Sequence, residues 1–283
     1  MTTAKKPVKK TARKPAAALH VPAQTVPADN TPQHQAPETI FKKAHYIMVL
    51  IGSALFAFLS AQIIGPMFLT MLALAVGFKS DAIIDAFNDN VLARFGLILV
   101  IEVLTIWMVY LFLHRRKENW KDIGLARRPN RTDVGNALVM YGVYFLLFLG
   151  ITIVLNSSHL IDTNQSQQLG FDNTQGLQLI LVFVSLVILP PIAEEILFRG
   201  FIFMNLRKKL HFYPSVLITS VLFGMAHLEF GSGAPLNWAA AIDTFTLSCV
   251  LCYVTDKTKA LWPGMIVHAI NNSFAFVILF LAK

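Results

Sequence analysis

From residue 44 onward the sequence is a succession of long apolar runs broken by short polar intervals, without the apolar/polar alternation of a half-buried strand. A helix needs about 20 apolar residues to cross the hydrocarbon of a bilayer. On that measure seven runs qualify: residues 45–77, 91–113, 134–155, 177–206, 213–230, 237–254 and 261–281. Such runs predict helices that satisfy their own backbone groups rather than an outer-membrane barrel. The predicted fold is all-α, a polytopic transmembrane helical bundle of about seven spans. The first run is long and contains Gly65-Pro66, which predicts a kink or a span followed by a shorter interfacial helix. No internal repeat is visible, so a transporter built from duplicated halves gains no support beyond the bundle itself.

The polar intervals predict an orientation. Basic residues gather in the interval with Arg115, Arg116, Lys117, Lys121, Arg127, Arg128 and Arg131, in Arg207-Lys208-Lys209, and in the "TDKTK" of residues 255–259. The alternate intervals "NSSHLIDTNQSQQLGFDNTQ" and "LEFGSGAPLN" have no Lys or Arg, and "FKSDAIIDAFNDN" is net acidic. The excess of Lys and Arg on one side predicts a multi-pass plasma-membrane protein, bacterial in character, with its N-terminus in the cytoplasm and its C-terminus outside. Residues 1–43 hold eight Lys/Arg against Asp29 and Glu38, a net +6 of the chain's +8. Their Lys/Pro/Ala opening and later Pro, Gln, Asn and Thr predict a disordered basic cytoplasmic tail. Its lysine-rich opening has no interleaved aromatics, so attraction to an anionic leaflet is expected and nucleic acid is not a partner. The first apolar run is too long for a signal peptide, so no cleaved leader is expected.

With 55% hydrophobic and 14% charged residues and a mean hydropathy of +0.58, the chain is too apolar for an ordinary soluble domain. Each ionisable residue inside a run is then a functional candidate to be weighed against a structural pair. "ILPPIAEEILFRGFIF" places Glu194, Glu195 and Arg199 in the fourth run. Glu195 and Arg199, at i and i+4, share a helix face and can compensate each other's charge. Glu194 lies about 100° around the helix and needs another partner, which makes it the better catalytic candidate. "FGMAH" sets Phe223 and His227 on one face of the fifth run, and "HAINN" does the same for His268 and Asn272 in the seventh. At about 1.5 Å per residue, Glu194, His227 and His268 all fall about 12–21 Å from the inner surface, so they can line one cavity.

A carboxylate and neutral imidazoles can take a proton from water, and a carboxamide can donate to a developing oxyanion. No serine or cysteine nucleophile with a neighbouring base is evident, nor an HExxH helix, so hydrolysis by activated water leads over an acyl-enzyme. Cys249 and Cys252 are expected to be packing residues rather than a redox or zinc pair. Glu102 and Asp243 are expected in structural roles, Glu102 snorkelling toward a helix end and Asp243 reaching the outer interface. Pro190-Pro191 is expected to kink the fourth span and free backbone groups for polar side chains or water.

In their order and placement, EExxxR at 194–199, FxxxH at 223–227 and HxxxN at 268–272 resemble the CPBP (Abi) intramembrane proteases, the group that includes the type II CAAX prenyl endopeptidases and bacteriocin-processing or self-immunity proteins. The resemblance runs from "WKDIGL" at residue 120 onward. It divides the chain into the tail (1–43), N-terminal transmembrane helices (44–118) and a protease core (119–283). It implies that Glu194 and His227 activate water and that His268 and Asn272 form an oxyanion hole or help hold a metal. Glu195, Arg199 and Phe223 match supporting positions. A divalent ion such as zinc on Glu194, His227 and His268 competes with a metal-free role for Glu194 as general base. The reading is an intramembrane endopeptidase acting on membrane-associated substrates, lipidated CAAX-type or bacteriocin-like. Its rivals are a non-catalytic binding or immunity protein and a proton-coupled carrier.

Overall fold

The computed structural model describes residues 1–2, 40–158, 171, 174–228 and 236–282, so most of the basic tail and of the two polar intervals beginning at 156 and 228 lies outside the described residues. The described chain is a polytopic helical bundle: α1 Ile40–Ala75, α2 Ser80–Asp89, α3 Val91–Arg115, α4 Arg131–Ser158, α5 Gln178–Arg207, α6 Phe212–Ala226, α7 Trp238–Thr258 and α8 Trp262–Leu281. Six of these are long and apolar enough to cross a membrane. The fifth predicted span is the exception, because α6 has only 15 residues, a length of about 22 Å. It stops where His227 turns its own Nδ1 onto the Phe223 carbonyl at 2.8 Å while its backbone N–H bonds Gly224 O at 3.1 Å.

α1 begins at Ile40, four residues inside the segment read as tail, and runs unbroken through Pro66. A stripe of small buried residues, Ala54, Ala57, Ala61 and Gly65, lets it lie close against α3. The approach is tight at Gly65, where an added Cβ would stand 2.8 Å from the Ile101 side chain. α5 is the central element, packed against α1, α3, α6, α7 and α8. α6 crosses α7 at Gly224, where a Cβ would meet the Ala241 carbonyl at 2.8 Å.

The basic ends of the helices are tied together. Arg116 donates to Tyr46 Oη (2.6 Å) and Asn205 Oδ1 (3.4 Å), Lys208 pairs with Glu118 (2.8 Å) and Arg207 with Asp256 (3.0 Å). The loop carrying "WKDIGL" buries Ile123 against Gly200 of α5 and accepts the Leu261 N–H on Gly124 O at 3.1 Å. Gly124 is at φ +94, a conformation that a side chain would strain.

The start of α4 shows how this end is fixed. Asn130 and Asp133 cap each other, with Asn130 N–H donating to Asp133 Oδ2 (2.8 Å) and Asp133 N–H to Asn130 Oδ1 (3.1 Å). Arg127 closes on the same carboxylate with two bonds of 2.6 and 2.5 Å. Asp133 is fully buried while Arg127 is half-exposed, so solvent screens part of the attraction. Replacing Asp133 by Ala is expected to destabilise the protein by about 1–3 kcal/mol and Asp133→Asn by less, measured by unfolding in a mixed-micelle denaturant titration.

Candidate active site

α5 departs from α-helical geometry in two places, and both matter. Residues Val184–Ile188 and Glu195–Phe203 widen to π-helical hydrogen bonding, with Met204 N–H reaching back to Arg199 O. Between them stand Pro190 and Pro191. The Leu186 carbonyl would take the N–H of residue 190 in an α-helix or of residue 191 in a π-helix, and neither proline has one. The orphaned oxygen accepts instead from Asn272 Nδ2 of α8 at 2.9 Å. The expectation that the proline pair frees a backbone group for a polar side chain therefore holds, and it ties α8 to α5 one helical turn beyond His268.

Below the prolines, the second π-helical stretch buries Glu195 and Arg199 completely. Arg199 Nη1 donates to Glu195 Oε1 at 2.9 Å, and His268 Nδ1 reaches the same oxygen at 3.1 Å. The carboxylate can only accept there, so Nδ1 carries the hydrogen. His268 Nε2 then faces Glu194, 3.7 Å from Oε2. One imidazole thus lies between two carboxylates that helix geometry sends in different directions, bonded to Glu195 and facing a Glu194 Oε2 that is left without a hydrogen-bond partner among the described residues.

Phe223 closes the cluster. The Arg199 guanidinium lies over its ring at 4.2 Å, and its centroid is 4.7 Å from His227, 5.8 Å from His268 and 4.9 Å from Phe198. Arg199 Nε and Nη2 are buried without hydrogen-bond partners, and the aromatic face is what meets this cation. The three motifs do converge, with Glu195, Arg199, Phe223 and His268 as a buried cluster and Glu194 and His227 on its open side.

That open side is a cavity of about 170 Å³ lined by Glu194, His227, Gln62, Glu102, Thr105 and apolar neighbours. Because His227 Nδ1 donates to the Phe223 carbonyl, its Nε2 is left as the lone-pair nitrogen. Glu102 corrects an expectation: it does not snorkel to a helix end but lies mid-way along α3 in the wall of this cavity. The count that placed Glu194 finds it too, since Glu102 is thirteen residues before Arg115 as Glu194 is before Arg207. Asp243 is held by Tyr144, whose hydroxyl donates to Oδ1 at 2.5 Å, a hydrogen-bonded structural role. Cys252 is buried and Cys249 lies against Ser220 at 3.5 Å, both as free thiols.

Among the described residues no three His, Cys, Asp or Glu side chains are grouped to hold an ion. His268 donates its Nδ1–H to Glu195 and His227 its Nδ1–H to a carbonyl, which leaves Nε2 of each ring as its lone-pair nitrogen, the orientation in which a histidine can ligate an ion.

Replacing Asn272 by Leu strands the Leu186 oxygen and is expected to destabilise the fold by about 1–3 kcal/mol. Pro190→Ala restores an N–H to that oxygen, so the same substitution in the Pro190→Ala background is expected to be milder, with a coupling of about 1 kcal/mol or more in a double-mutant cycle. Additive effects would contradict the assignment.

Residues 176–274, the stretch that holds all three motifs, match the family described as type II CAAX prenyl endopeptidase Rce1-like. The chain is 26% identical to protein YyaK of Bacillus subtilis over 259 residues, 83% of this chain and 77% of YyaK. It is 31% identical over 114 residues to YdiL of the same organism, a protein named provisionally as a membrane peptidase, spanning 40% of this chain and 43% of YdiL. YxdF of Lactococcus lactis is 30% identical over 131 residues, 46% of this chain and 66% of YxdF. No solved structure matches the chain. The segment that builds the buried cluster thus matches the Rce1-like endopeptidases, the family that this chain resembles in sequence.

Proposed function

We propose that this protein is an intramembrane endopeptidase that hydrolyses peptide bonds of membrane-associated substrates with water activated at Glu194 and His227. The observation that carries the reading is the meeting of Glu194 and His227 in one cavity inside a helical bundle, backed by a fully buried Glu195–Arg199 pair that orients His268. A water in the cavity gives its proton to the Glu194 carboxylate or to His227 Nε2, and the oxygen adds to the scissile carbonyl. The second amide hydrogen of Asn272 is the donor assigned to the oxyanion, and His268 joins it from Nε2 once that nitrogen has taken up a proton. Glu195 and Arg199 are positioning residues that act through His268. The chemistry needs no resident metal in this form.

An apolar cavity of about 240 Å³ lies alongside and shares Phe58, Leu197, Phe198 and Ala226 with the polar one. It suits an apolar side chain or a lipid chain of the substrate, which supports a lipidated CAAX-type or bacteriocin-like peptide as the substrate class. The basic ends of α3, α5 and α7 support the cytoplasmic side as the side of cleavage, in a bacterial plasma membrane with the N-terminus inside.

The test compares protein termini in membranes of cells carrying the wild type, a deletion, or Glu194→Gln at equal protein level. Fragments present with wild type and absent with both others are expected. If the variant yields the wild-type set of termini, or rescues a deletion phenotype with no change in termini, the chain is instead a binding or immunity protein.

A further inference from the structure

We propose that Glu102, on a helix outside the segment that matches the family, is the acid of the catalytic centre and supplies the proton taken up by the leaving amine nitrogen. The proposal rests on the protease reading given above.

Glu102 and Glu194 are level in the bundle. The ends of α3 and α5 are joined by Arg116 to Asn205 and Lys208 to Glu118, and each carboxyl is thirteen residues before the end of its helix. Both line the same cavity, whose volume of about 170 Å³ holds several waters. Among the residues lining it, the titratable groups are Glu102 and Glu194 from α3 and α5, and His227 at the end of α6. α1 contributes the neutral Gln62, and Thr105 turns its hydroxyl to Ile101 O at 3.0 Å. Among the described residues no Lys or Arg lines this space, and the cation nearest in the helix, Arg199, gives its Nη1 to Glu195. Two carboxyls facing one small cavity, with no cation among the residues described as lining it, repel when both are charged, and one proton shared between them is the arrangement assigned here.

That single proton is what hydrolysis needs in addition to a base. Water gives one proton to the Glu194 carboxylate as its oxygen bonds to the carbonyl carbon. When the C–N bond breaks, the nitrogen takes the proton held by Glu102, releasing an amine and a carboxylic acid. The proton now on Glu194 passes to the Glu102 carboxylate across the cavity, and the starting state returns with one water consumed. His227, whose Nδ1 is committed to the Phe223 carbonyl, completes the base side.

The experiment uses the full chain purified in lipid nanodiscs as wild type, Glu102→Gln, Glu102→Asp and Glu194→Gln. Infrared spectroscopy at neutral pH, with no substrate, is expected to show a protonated-carboxyl band that disappears in Glu102→Gln; an unchanged band overturns the proposal. With a peptide spanning a cleavage site found by the comparison of termini, Glu102→Gln is expected to lose about 10²–10⁴-fold in kcat with KM nearly unchanged, and to lose the alkaline limb of the pH profile. Wild-type kcat and profile in Glu102→Gln, with Glu194→Gln inactive, overturn the role of Glu102 and leave the protease reading standing. Full cleavage by Glu194→Gln overturns that reading itself. Should Glu102→Gln fail to accumulate, Glu102→Asp decides: a lowered kcat with a displaced alkaline limb is expected, and wild-type values for both overturn the proposal.

Discussion

The Glu195–Arg199 ion pair is the constraint around which the bundle is organised. Both side chains are fully buried within a membrane protein, where one left alone would destabilise the fold by about 3–5 kcal/mol. Each must therefore be met by neighbours, and the ones that meet them are the motif residues. The Phe223 ring takes the face of the guanidinium, and His268 donates to the carboxylate oxygen that Arg199 already holds. The space left is small. A Cβ on Gly264 would come within 3.0 Å of Glu195 Oε2, so α8 approaches α5 as closely as it does only because that position carries no side chain. Electrostatic necessity thus fixes α6 and α8 relative to α5, and the orientation of His268 follows from it.

A second constraint runs through the backbone. Two consecutive prolines deny Leu186 O every helical donor within reach, and Asn272 answers from α8. His268 and Asn272, at i and i+4 on one face of α8, are consequently held at two points: one by a buried charge and one by an orphaned carbonyl. The same HxxxN spacing that reads as chemistry therefore also serves to lock two helices together. The two roles are compatible because the amide has two hydrogens.

The helical class, the boundaries of most spans and the convergence of the three motifs were legible in the sequence, because apolar run length and i, i+4 spacing are local properties. The pairing of Glu195 with Arg199 was legible for the same reason. What was not legible depends on contacts between distant segments. Glu102 looked able to snorkel because nothing near it in sequence marks a partner, yet its depth in α3 equals that of Glu194 in α5. The shortness of α6 was hidden because residues 213–226 are uncharged and mostly apolar and nothing in that local pattern marks the turn at His227, where the side chain takes the Phe223 carbonyl. A zinc set of Glu194, His227 and His268 can be written from residue type alone, whereas among the described residues no three such side chains are grouped to hold an ion, a matter decided by how the helices assemble.

The claim on which the rest depends is that the Glu195 carboxylate, held by Arg199, fixes the ring and tautomer of His268. It is tested most directly by nitrogen NMR of histidine-labelled protein in lipid nanodiscs, comparing wild type with Glu195→Gln and using His268→Gln to assign the resonance. A hydrogen-bonded Nδ1–H at His268 is expected in the wild type, with its resonance displaced once Glu195 loses its charge. An identical His268 spectrum in the two proteins would contradict the account.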